Sequence, residues 1–246
     1  MSVIKIEGLS KEYTLGLGQT RRVALRDLSL EINPGEVFGF LGPNGAGKTT
    51  TIKILVGLMA PTSGTARLFD QEITNESVRS KIGFLPETPS FYEYLTAVEI
   101  LSFYGQLFNL PKSEIRGRVA SLLKQVGLES SRDLQLRKFS KGMLQRVGIA
   151  QALINDPELI ILDEPMSGLD PIGRKEMREL ILMLKHQGKT IFFSSHIIHD
   201  VEMICDRVGI LAEGQLLGMG HLDEIRKNGE TLEECFIRLV QKEVPE

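Results

Sequence analysis

The most chemically specific stretch of this sequence is a glycine-rich loop, GPNGAGKTT, which starts at Gly42. It fits the pattern G-x-x-x-x-G-K-[ST] and stands between a strand-like apolar run, EVFGFL, and a segment with helical periodicity. We expect Gly42, Gly45 and Gly47 to adopt positive φ, so that the backbone can wrap closely around phosphate oxygens. The helix that follows would aim its positive end at the same phosphates. The pattern therefore predicts a nucleotide-binding loop.

Two side chains of this loop are expected to act on the phosphates directly. Lys48 would bridge the β- and γ-phosphates of a bound nucleotide, and the Thr49 hydroxyl would bind Mg²⁺. The predicted nucleotide-binding residues of the loop are Gly42, Pro43, Asn44, Gly45, Ala46, Gly47, Lys48, Thr49 and Thr50.

A second part of the same site is predicted from the run LIILDEP, which begins at Leu159. Its four apolar residues fit a buried strand, and Asp163 follows where that strand would leave the sheet, so its carboxylate can anchor a Mg²⁺-bound water. Glu164 is expected to point to the opposite side of the strand tip, where a carboxylate can orient or deprotonate an attacking water. The pair favours hydrolysis over transfer to a bound acceptor, although Asp-Glu also occurs as ordinary surface charge.

Two further residues are candidate phosphate contacts. His196 ends the apolar run TIFFSS, and the carboxyl end of a parallel strand is where ligands gather in open α/β sheets. A lone histidine is more often structural, but this position predicts a γ-phosphate contact. The stretch FSKGMLQRV opens a helical pattern at Ser140, whose hydroxyl can cap the helix, while Gly142 permits close approach to an anion. It predicts a second anion-binding site in a chain that already has one.

Periodicity along the chain predicts an α/β fold with distinct parts. The first segments, VIKIEGL and VALRDLSLEI, alternate apolar and polar residues, as half-buried antiparallel strands do. Residues 88–156 show helical spacing only and predict a helical subdomain inserted in the core. From Leu159 onward strands and helices alternate, which predicts a mostly parallel sheet covered by helices. Residues 226–246 are expected to form a short helical tail.

Composition narrows the class of protein. A net charge of -3 and the lack of a long basic run argue against a nucleic-acid-binding surface. Cys205 and Cys235 lack metal-ligand spacing and predict free thiols in a reducing compartment. The first residues do not resemble a signal peptide, and no run approaches the ~20 apolar residues that span a bilayer. We therefore expect a cytoplasmic protein whose membrane role would depend on a partner.

With these residues in place, the sequence resembles the ATP-binding subunit of ABC transporters, in the family's motif order over nearly the whole chain. The glycine-rich loop matches Walker A, and Asp163 and Glu164 match Walker B and the catalytic glutamate. Tyr13 matches the aromatic residue that stacks on adenine, and His196 matches the switch histidine. SGLD matches the loop that crosses to the partner subunit, which implies that Asp170 lies near the partner's nucleotide.

FSKGMLQRV falls where the family has its signature, usually LSGGQ followed by a short basic stretch. It agrees at Ser140 and Gly142 and departs at Phe139, Lys141 and Met143. The resemblance implies that this segment contacts ATP bound to a second chain. The departure at Met143 removes the polar side chain with which the signature usually ends.

Glu87, in IGFLPETP, stands where the family usually has glutamine. An ionised glutamate only accepts hydrogen bonds, so it can face Mg²⁺ or water, and it adds negative charge near the γ-phosphate. We expect altered metal or rate properties rather than loss of function, and an ordinary surface turn is the alternative. The segment PSFYEYLTA then begins the face that receives a helix of the membrane subunit in the family. Its aromatics Phe91, Tyr92 and Tyr94 either form an exposed interface or pack inside the helical subdomain.

The resemblance implies a P-loop NTPase fold with the ATP-binding domain in residues 1–225. It also implies two chains, most simply identical, that sandwich two ATP molecules head to tail. The implied partner is an integral membrane permease, which would hold the protein peripherally on the inner face of the cell membrane. The stretches LVGLMAPTSG, FSKGM and TLEECFIRL resemble the ABC-2 type group of multidrug, polysaccharide and ion exporters, as does the lack of an added regulatory domain.

Two alternatives are weaker. A soluble ABC-type ATPase acting on nucleic acid or ribosomes would need a long coiled coil or two cassettes, but the interval from Lys48 to Asp163 is short and the Walker A motif is single. A P-loop kinase for small molecules would leave Glu164, His196 and Ser140 without a role.

Overall fold

The computed structural model describes residues 2–15, 20–226 and 229–241, which form two β-sheets with helices against them. The strands are β1 (Ile4–Leu15), β2 (Thr20–Ile32), β3 (Val37–Leu41), β4 (Ser63–Leu68), β5 (Gln71–Glu72), β6 (Ile82–Leu85), β7 (Leu159–Leu162), β8 (Thr190–Ser195), β9 (Arg207–Ala212) and β10 (Gln215–His221). The helices are α1 (Lys48–Leu55), α2 (Glu76–Arg79), α3 (Ala97–Leu107), α4 (Lys112–Gln125), α5 (Lys141–Ala152), α6 (Pro171–His186), α7 (Ile198–Ile204), α8 (Leu222–Ile225) and α9 (Leu232–Gln241).

The smaller sheet is antiparallel and has the strand order β2-β1-β4-β5. Its first strand buries Ile4 and Ile6 and exposes Glu7, because successive side chains of a strand point to opposite faces. This arrangement confirms the predicted antiparallel β part at the start of the chain.

The larger sheet has the order β10-β9-β3-β8-β7-β6, and every neighbouring pair is parallel except β9 and β10. β3, in the middle of this sheet, is buried on both faces. Val37 and Leu41 belong to one hydrophobic core, and Phe38 and Phe40 belong to the other. The predicted mostly parallel sheet is thus confirmed. β10 runs antiparallel because a two-residue turn at Glu213 and Gly214 folds it directly back on β9, and such a short connection leaves no length for a crossover.

Between β6 and β7 the described chain contains helices and no strand, as the apolar spacing predicted. α3 begins with a capping box, in which the Thr96 hydroxyl and the Glu99 carboxylate each bond the other's backbone N–H. α3, α4 and α5 contribute Ile100, Val119 and Val147 to the same core as one face of the larger sheet. The limits 88–156 for this subdomain and 1–225 for the whole domain stay predictions.

The C-terminal helix α9 buries Leu232 and Cys235 in this core, where α7 contributes Val201 and Ile204. Cys205 is a free thiol, and Cys235 Sγ lies 3.3 Å from the Ile225 carbonyl oxygen. In the described ranges, every helix is too short or too polar to cross a bilayer.

The parallel strands bring the predicted chemical residues together at one edge. β3, β7 and β8 are neighbours in the sheet and run the same way, so their carboxyl ends lie side by side. The glycine-rich loop follows β3, Asp163 follows β7, and His196 follows β8.

Candidate active site

The glycine-rich loop connects β3 to α1 with two glycines in the left-handed region, Gly45 at φ 84° and Gly47 at φ 112°. A Cβ on Gly47 would also lie 2.6 Å from the Ala24 carbonyl oxygen, so only glycine fits there. Gly42 is not among the residues with positive φ, so that part of the prediction is wrong. Glycine is needed there for a different reason, because a Cβ would lie 2.3 Å from the Leu211 carbonyl oxygen.

The Lys48 ammonium is buried inside the cradle that this loop forms. Its Nζ donates hydrogen bonds to the carbonyl oxygens of Gly42 at 2.7 Å and Pro43 at 3.1 Å. It also forms an ion pair with Glu164 Oε1 at 3.1 Å. The loop therefore positions the positive charge of the Lys48 side chain where the sequence predicts that phosphate binds.

Glu164 joins Lys48 to His196. The carboxylate lies 6% exposed, with Oε1 facing the Lys48 ammonium and Oε2 bonded to His196 Nδ1 at 2.8 Å. Among the described residues, no group forms a hydrogen bond of good geometry with Oε1, and its close partner there is the Lys48 ammonium. Such an under-satisfied buried oxygen is suited to accept a hydrogen bond from a water.

Glu164 departs from the predicted geometry. Its φ of 49° is uncommon for a residue with a side chain, and the chain turns there instead of continuing as a strand. The carboxylates of Asp163 and Glu164 therefore both contact the first turn of α1, at Thr49 and Lys48 respectively, and do not point to opposite sides. Both acidic groups serve one site.

Asp163 is 3% exposed and accepts two hydrogen bonds on Oδ1, from Thr49 Oγ1 at 3.2 Å and Ser194 Oγ at 2.7 Å. Burial raises the pKa of the Asp163 carboxyl; the two hydroxyl donors oppose that rise, and the charges of Glu164 and Glu87 add to it. A hydroxyl and a carboxylate held together offer the oxygen ligands that Mg²⁺ prefers.

Lys48, Thr49 and Glu164 line a cavity of about 450 Å³ beside the loop. Its lining consists of Tyr13, Arg22, Ala24, Asn44, Gly45, Gly47, Lys48, Thr49, Thr50, Glu87 and Glu164. The Tyr13 hydroxyl lies 3.2 Å from both Thr50 Oγ1 and Met59 Sδ, which fixes the ring near α1. Glu87 is exposed at the cavity edge. The predicted loop, Tyr13, Glu87 and Glu164 are thus in one place.

Two residues of this site were missed by the sequence analysis. Arg22 lines the cavity because it pairs directly with Tyr13 across the β1–β2 ladder, and the register of the two strands could have pointed to it. Ser194 bonds both Asp163 and Glu164 but sits in an apolar run, where a serine carries no motif.

Ser140, Gly142 and Asp170 lie together elsewhere, along a cavity of about 560 Å³. As predicted, Ser140 caps α5, its hydroxyl oxygen accepting from the Met143 N–H at 3.2 Å. Asp170 caps α6 in the same way, accepting from the Gly173 N–H at 2.8 Å. None of these three residues lines the cavity beside the glycine-rich loop. The predicted site residues therefore fall into two separate clusters.

The aromatic segment divides between the two predicted roles. Phe91 packs against the core of the helical region, whereas Tyr92 and Tyr94 are 57% and 65% exposed. Their rings lie 5.9 Å apart and form one aromatic patch on the surface.

Comparisons with known proteins agree with these observations. The family model described as "ABC transporter" matches residues 25–167. The "Uncharacterized ABC transporter ATP-binding protein sll0415" of Synechocystis sp. (strain ATCC 27184 / PCC 6803 / Kazusa) is 50% identical over 94% of this chain. The chain spans 66% of that protein's length. The "Lantibiotic transport ATP-binding protein SrtF" of Streptococcus pyogenes is 39% identical over 95% of this chain and 96% of its own length.

A solved structure is also similar over most of both chains. It is described as "Dimeric structure of a post-hydrolysis state of the ATP-binding cassette MJ0796 bound to ADP and Pi". The TM-score is 0.81 at 27% identity, over 89% of this chain and 98% of the other.

Proposed function

Because this chain belongs to the ABC transporter family, we propose that it binds and hydrolyses MgATP within a dimer and drives an integral membrane permease. The family model covers residues 25–167, and a relative 39% identical is covered over 96% of its length. The predicted class of protein, an ATP-binding subunit of a transporter, is confirmed. The roles given to individual residues rest on the contacts within the chain.

The observation that carries the proposed hydrolysis is the chain of contacts from Lys48 through Glu164 to His196. A phosphate entering the loop competes with Glu164 for the Lys48 ammonium, and this competition frees Oε1 to receive a proton from water. His196 holds the other carboxylate oxygen, so that Glu164 cannot rotate away from the phosphate. Glu164 is thus the proposed general base, and His196 orients it and reaches the γ-phosphate from the same edge.

Thr49 and Asp163 would hold the metal, with Glu87 contributing from the cavity edge. The Thr49 hydroxyl already points at Asp163, and both lie next to Lys48, where the phosphates would be. Mg²⁺ bound there would neutralise charge on the β- and γ-phosphates. Tyr13 would stack on the adenine, since it lines the same cavity as Lys48 and Thr49.

The second half-site is proposed to complete the first one of another copy. Ser140 presents the amino end of a capped twelve-residue helix, and Ser140 and Asp170 are exposed. A helix end with free N–H groups is suited to phosphate, and the glycine-rich loop is not among the described residues that line its cavity. Head-to-tail pairing of two copies would place each Ser140 helix against the other copy's glycine-rich loop.

The proposed partner is an integral membrane permease on the cytoplasmic side of the cell membrane. Tyr92 and Tyr94 supply an exposed aromatic patch that follows Glu87 in the sequence, and aromatics are enriched where proteins bind one another. We propose export as the direction, because the sequence resembles the ABC-2 type group. The similarity to a lantibiotic transport protein supports a transporter role over the alternative of action on nucleic acid or ribosomes.

The proposed chemistry is tested by Glu164→Gln. We expect ATP affinity to be retained and turnover to fall by about 10²–10⁴-fold, because the amide cannot accept the proton of water. Glu72→Gln, an exposed glutamate of β5, is the matched control and should hydrolyse ATP as the unaltered chain does. Normal turnover in Glu164→Gln, measured as phosphate release with Mg²⁺, would rule out the base role.

The proposed partner is tested by purification from membranes. The unaltered chain should bring down an integral membrane protein, and the double change Tyr92→Glu and Tyr94→Glu should abolish that capture while leaving ATPase activity of the free chain intact. ATPase stimulation by nucleic acid, with no membrane protein captured, would instead favour the alternative.

A further inference from the structure

Ser194 is a fully buried serine at the centre of the larger sheet. It lies in β8, between β3 and β7, and two residues before His196. The β7–β8 ladder pairs Leu162 with Phe193, so Ser194 stands beside the residue that comes next, Asp163.

The hydroxyl of Ser194 uses its hydrogen-bonding capacity on two neighbouring residues of the active site. It donates to Asp163 Oδ1 at 2.7 Å and accepts from the backbone N–H of Glu164 at 2.9 Å. A hydroxyl has one proton to donate, so the bond to Asp163 takes its whole donor capacity. One side chain therefore contacts both the proposed metal-binding carboxylate and the backbone of the proposed base.

Each bond restricts a geometry that the site needs. Together with Thr49, Ser194 anchors Oδ1 of Asp163, and no described residue donates to Oδ2, which is left for a metal-bound water. The N–H bond fixes the peptide of Glu164, whose left-handed φ of 49° is costly unless surrounding contacts hold it. That turn lets the Glu164 carboxylate face Lys48 and His196.

We propose that Ser194 is a positioning residue, which sets Asp163 for Mg²⁺ and Glu164 for the attacking water through one hydroxyl. This inference rests on the proposed function, because it takes Asp163 and Glu164 in the roles assigned above. A purely structural serine would satisfy its hydroxyl on a nearby carbonyl and would affect stability alone. The Ser194 hydroxyl instead forms hydrogen bonds with Asp163 and Glu164, the two acidic residues that follow β7.

The test compares Ser194→Ala with the unaltered chain in two measurements. The first is nucleotide affinity with Mg²⁺ and with EDTA, using a non-hydrolysable ATP analogue and calorimetry. We expect the affinity in EDTA to be unchanged and the gain on adding Mg²⁺ to fall by about tenfold, because a hydrogen bond to a charged group is lost. The second is turnover, for which kcat should fall by at least about tenfold with little change in KM for ATP.

Ser195→Ala is the matched control, since Ser195 is also buried in β8 but its hydroxyl bonds only the backbone of Ile197. The gain in nucleotide affinity that Mg²⁺ gives Ser195→Ala should stay close to that of the unaltered chain. Ser194→Cys has a similar volume and a weaker hydrogen-bond donor, so its Mg²⁺-dependent gain in affinity and its kcat should lie between those of the unaltered chain and Ser194→Ala. It replaces the alanine variant in both measurements if that variant does not fold.

Asp163→Asn separates failure of this inference from failure of the proposed function. If Mg²⁺ raises the nucleotide affinity of the unaltered chain but not that of Asp163→Asn, the assignment of Asp163 to the metal site is supported. If Ser194→Ala and Ser194→Cys then show the full gain in nucleotide affinity with Mg²⁺ and a normal kcat, the proposed role of Ser194 is wrong and the metal site is unaffected. If Asp163→Asn keeps the full gain, the metal assignment itself fails.

Discussion

The glycine-rich loop region and the Ser140 region differ in how much of a binding site one chain supplies. Around the loop, three charged side chains are buried, those of Lys48, Asp163 and Glu164. Glu164 forms an ion pair with Lys48 and a hydrogen bond with His196. Asp163 accepts a hydrogen bond from Thr49. Around Ser140, the helix end is capped but exposed, and its cavity contains the start of α6 instead of a second phosphate-binding loop. The first region is preorganised within the chain, and we propose that the second is completed by another copy.

This difference predicts different kinds of defect. A change near the loop should alter nucleotide binding or chemistry in the single chain. A change at Ser140 should leave nucleotide binding to a single chain intact and act only where two chains meet. The following variants are chosen to break or sharpen that contrast.

Ser140→Arg should have the largest effect. We expect hydrolysis to fall by about 100-fold or more, because a bulky cation at the helix end displaces the second half-site from the phosphate. ATP affinity of the single chain should not change, since Ser140 does not line the loop cavity. Ser121→Arg, at an exposed serine of α4, is the control for adding a charge. Equal loss of binding and hydrolysis in Ser140→Arg would contradict the contrast.

His196→Ala should have the next largest effect. It removes the 2.8 Å contact with Glu164, and loss of a hydrogen bond to a charged group should lower kcat by about thirtyfold. Steady-state phosphate release measures this change. His199→Ala, at an exposed histidine of α7, should have normal activity. A His196→Ala protein with normal kcat would show that Glu164 does not need its second partner.

Tyr13→Ala should weaken ATP binding by about tenfold, the scale of one lost aromatic–base stacking contact, with little effect on the chemical step. Tyr13→Phe keeps the ring and removes the hydroxyl contacts with Thr50 and Met59, so it should bind nearly as well as the unaltered chain. Titration with a fluorescent ATP analogue distinguishes the two. A selective loss of kcat in Tyr13→Ala would argue against stacking.

Glu87→Gln should have the smallest effect. Glu87 is exposed, and removing its charge from the edge of the phosphate cavity should raise ATP affinity without Mg²⁺ by about threefold. Turnover should persist, because Glu164 remains as the base. Glu129→Gln, at an exposed glutamate of the helical region, is the control. An inactive Glu87→Gln variant would mean that Glu87 is essential to the site.

Much of the fold and of the loop region could be predicted because the relevant signals are local. GPNGAGKTT and LIILDEP each combine a motif with the strand that positions it, and parallel strands bring their carboxyl ends together without further information. The capping role of Ser140 likewise depends only on its own helix. The assigned roles of these residues in ATP binding and hydrolysis stay proposals.

The errors and omissions arose where geometry depends on contacts distant in sequence. Gly42 is required by the Leu211 carbonyl, which belongs to β9, and motif reasoning assigned it positive φ instead. Glu164 leaves the strand conformation where Ser194 of β8 accepts from its N–H. Its carboxylate is held by Lys48 of α1 and by His196, which follows β8. Ser194 could not be recognised without the register of β7 and β8.

The most direct measurement is the mass in solution of Glu164→Gln with ATP and Mg²⁺, alone and combined with Ser140→Arg. With hydrolysis blocked, ATP should hold two Glu164→Gln chains together, and sedimentation should give twice the mass of one chain. Adding Ser140→Arg should return the protein to a single chain that still binds ATP. A Glu164→Gln protein that stays a single chain with bound ATP, or a double variant that still pairs, would contradict the account of two half-sites completed between copies.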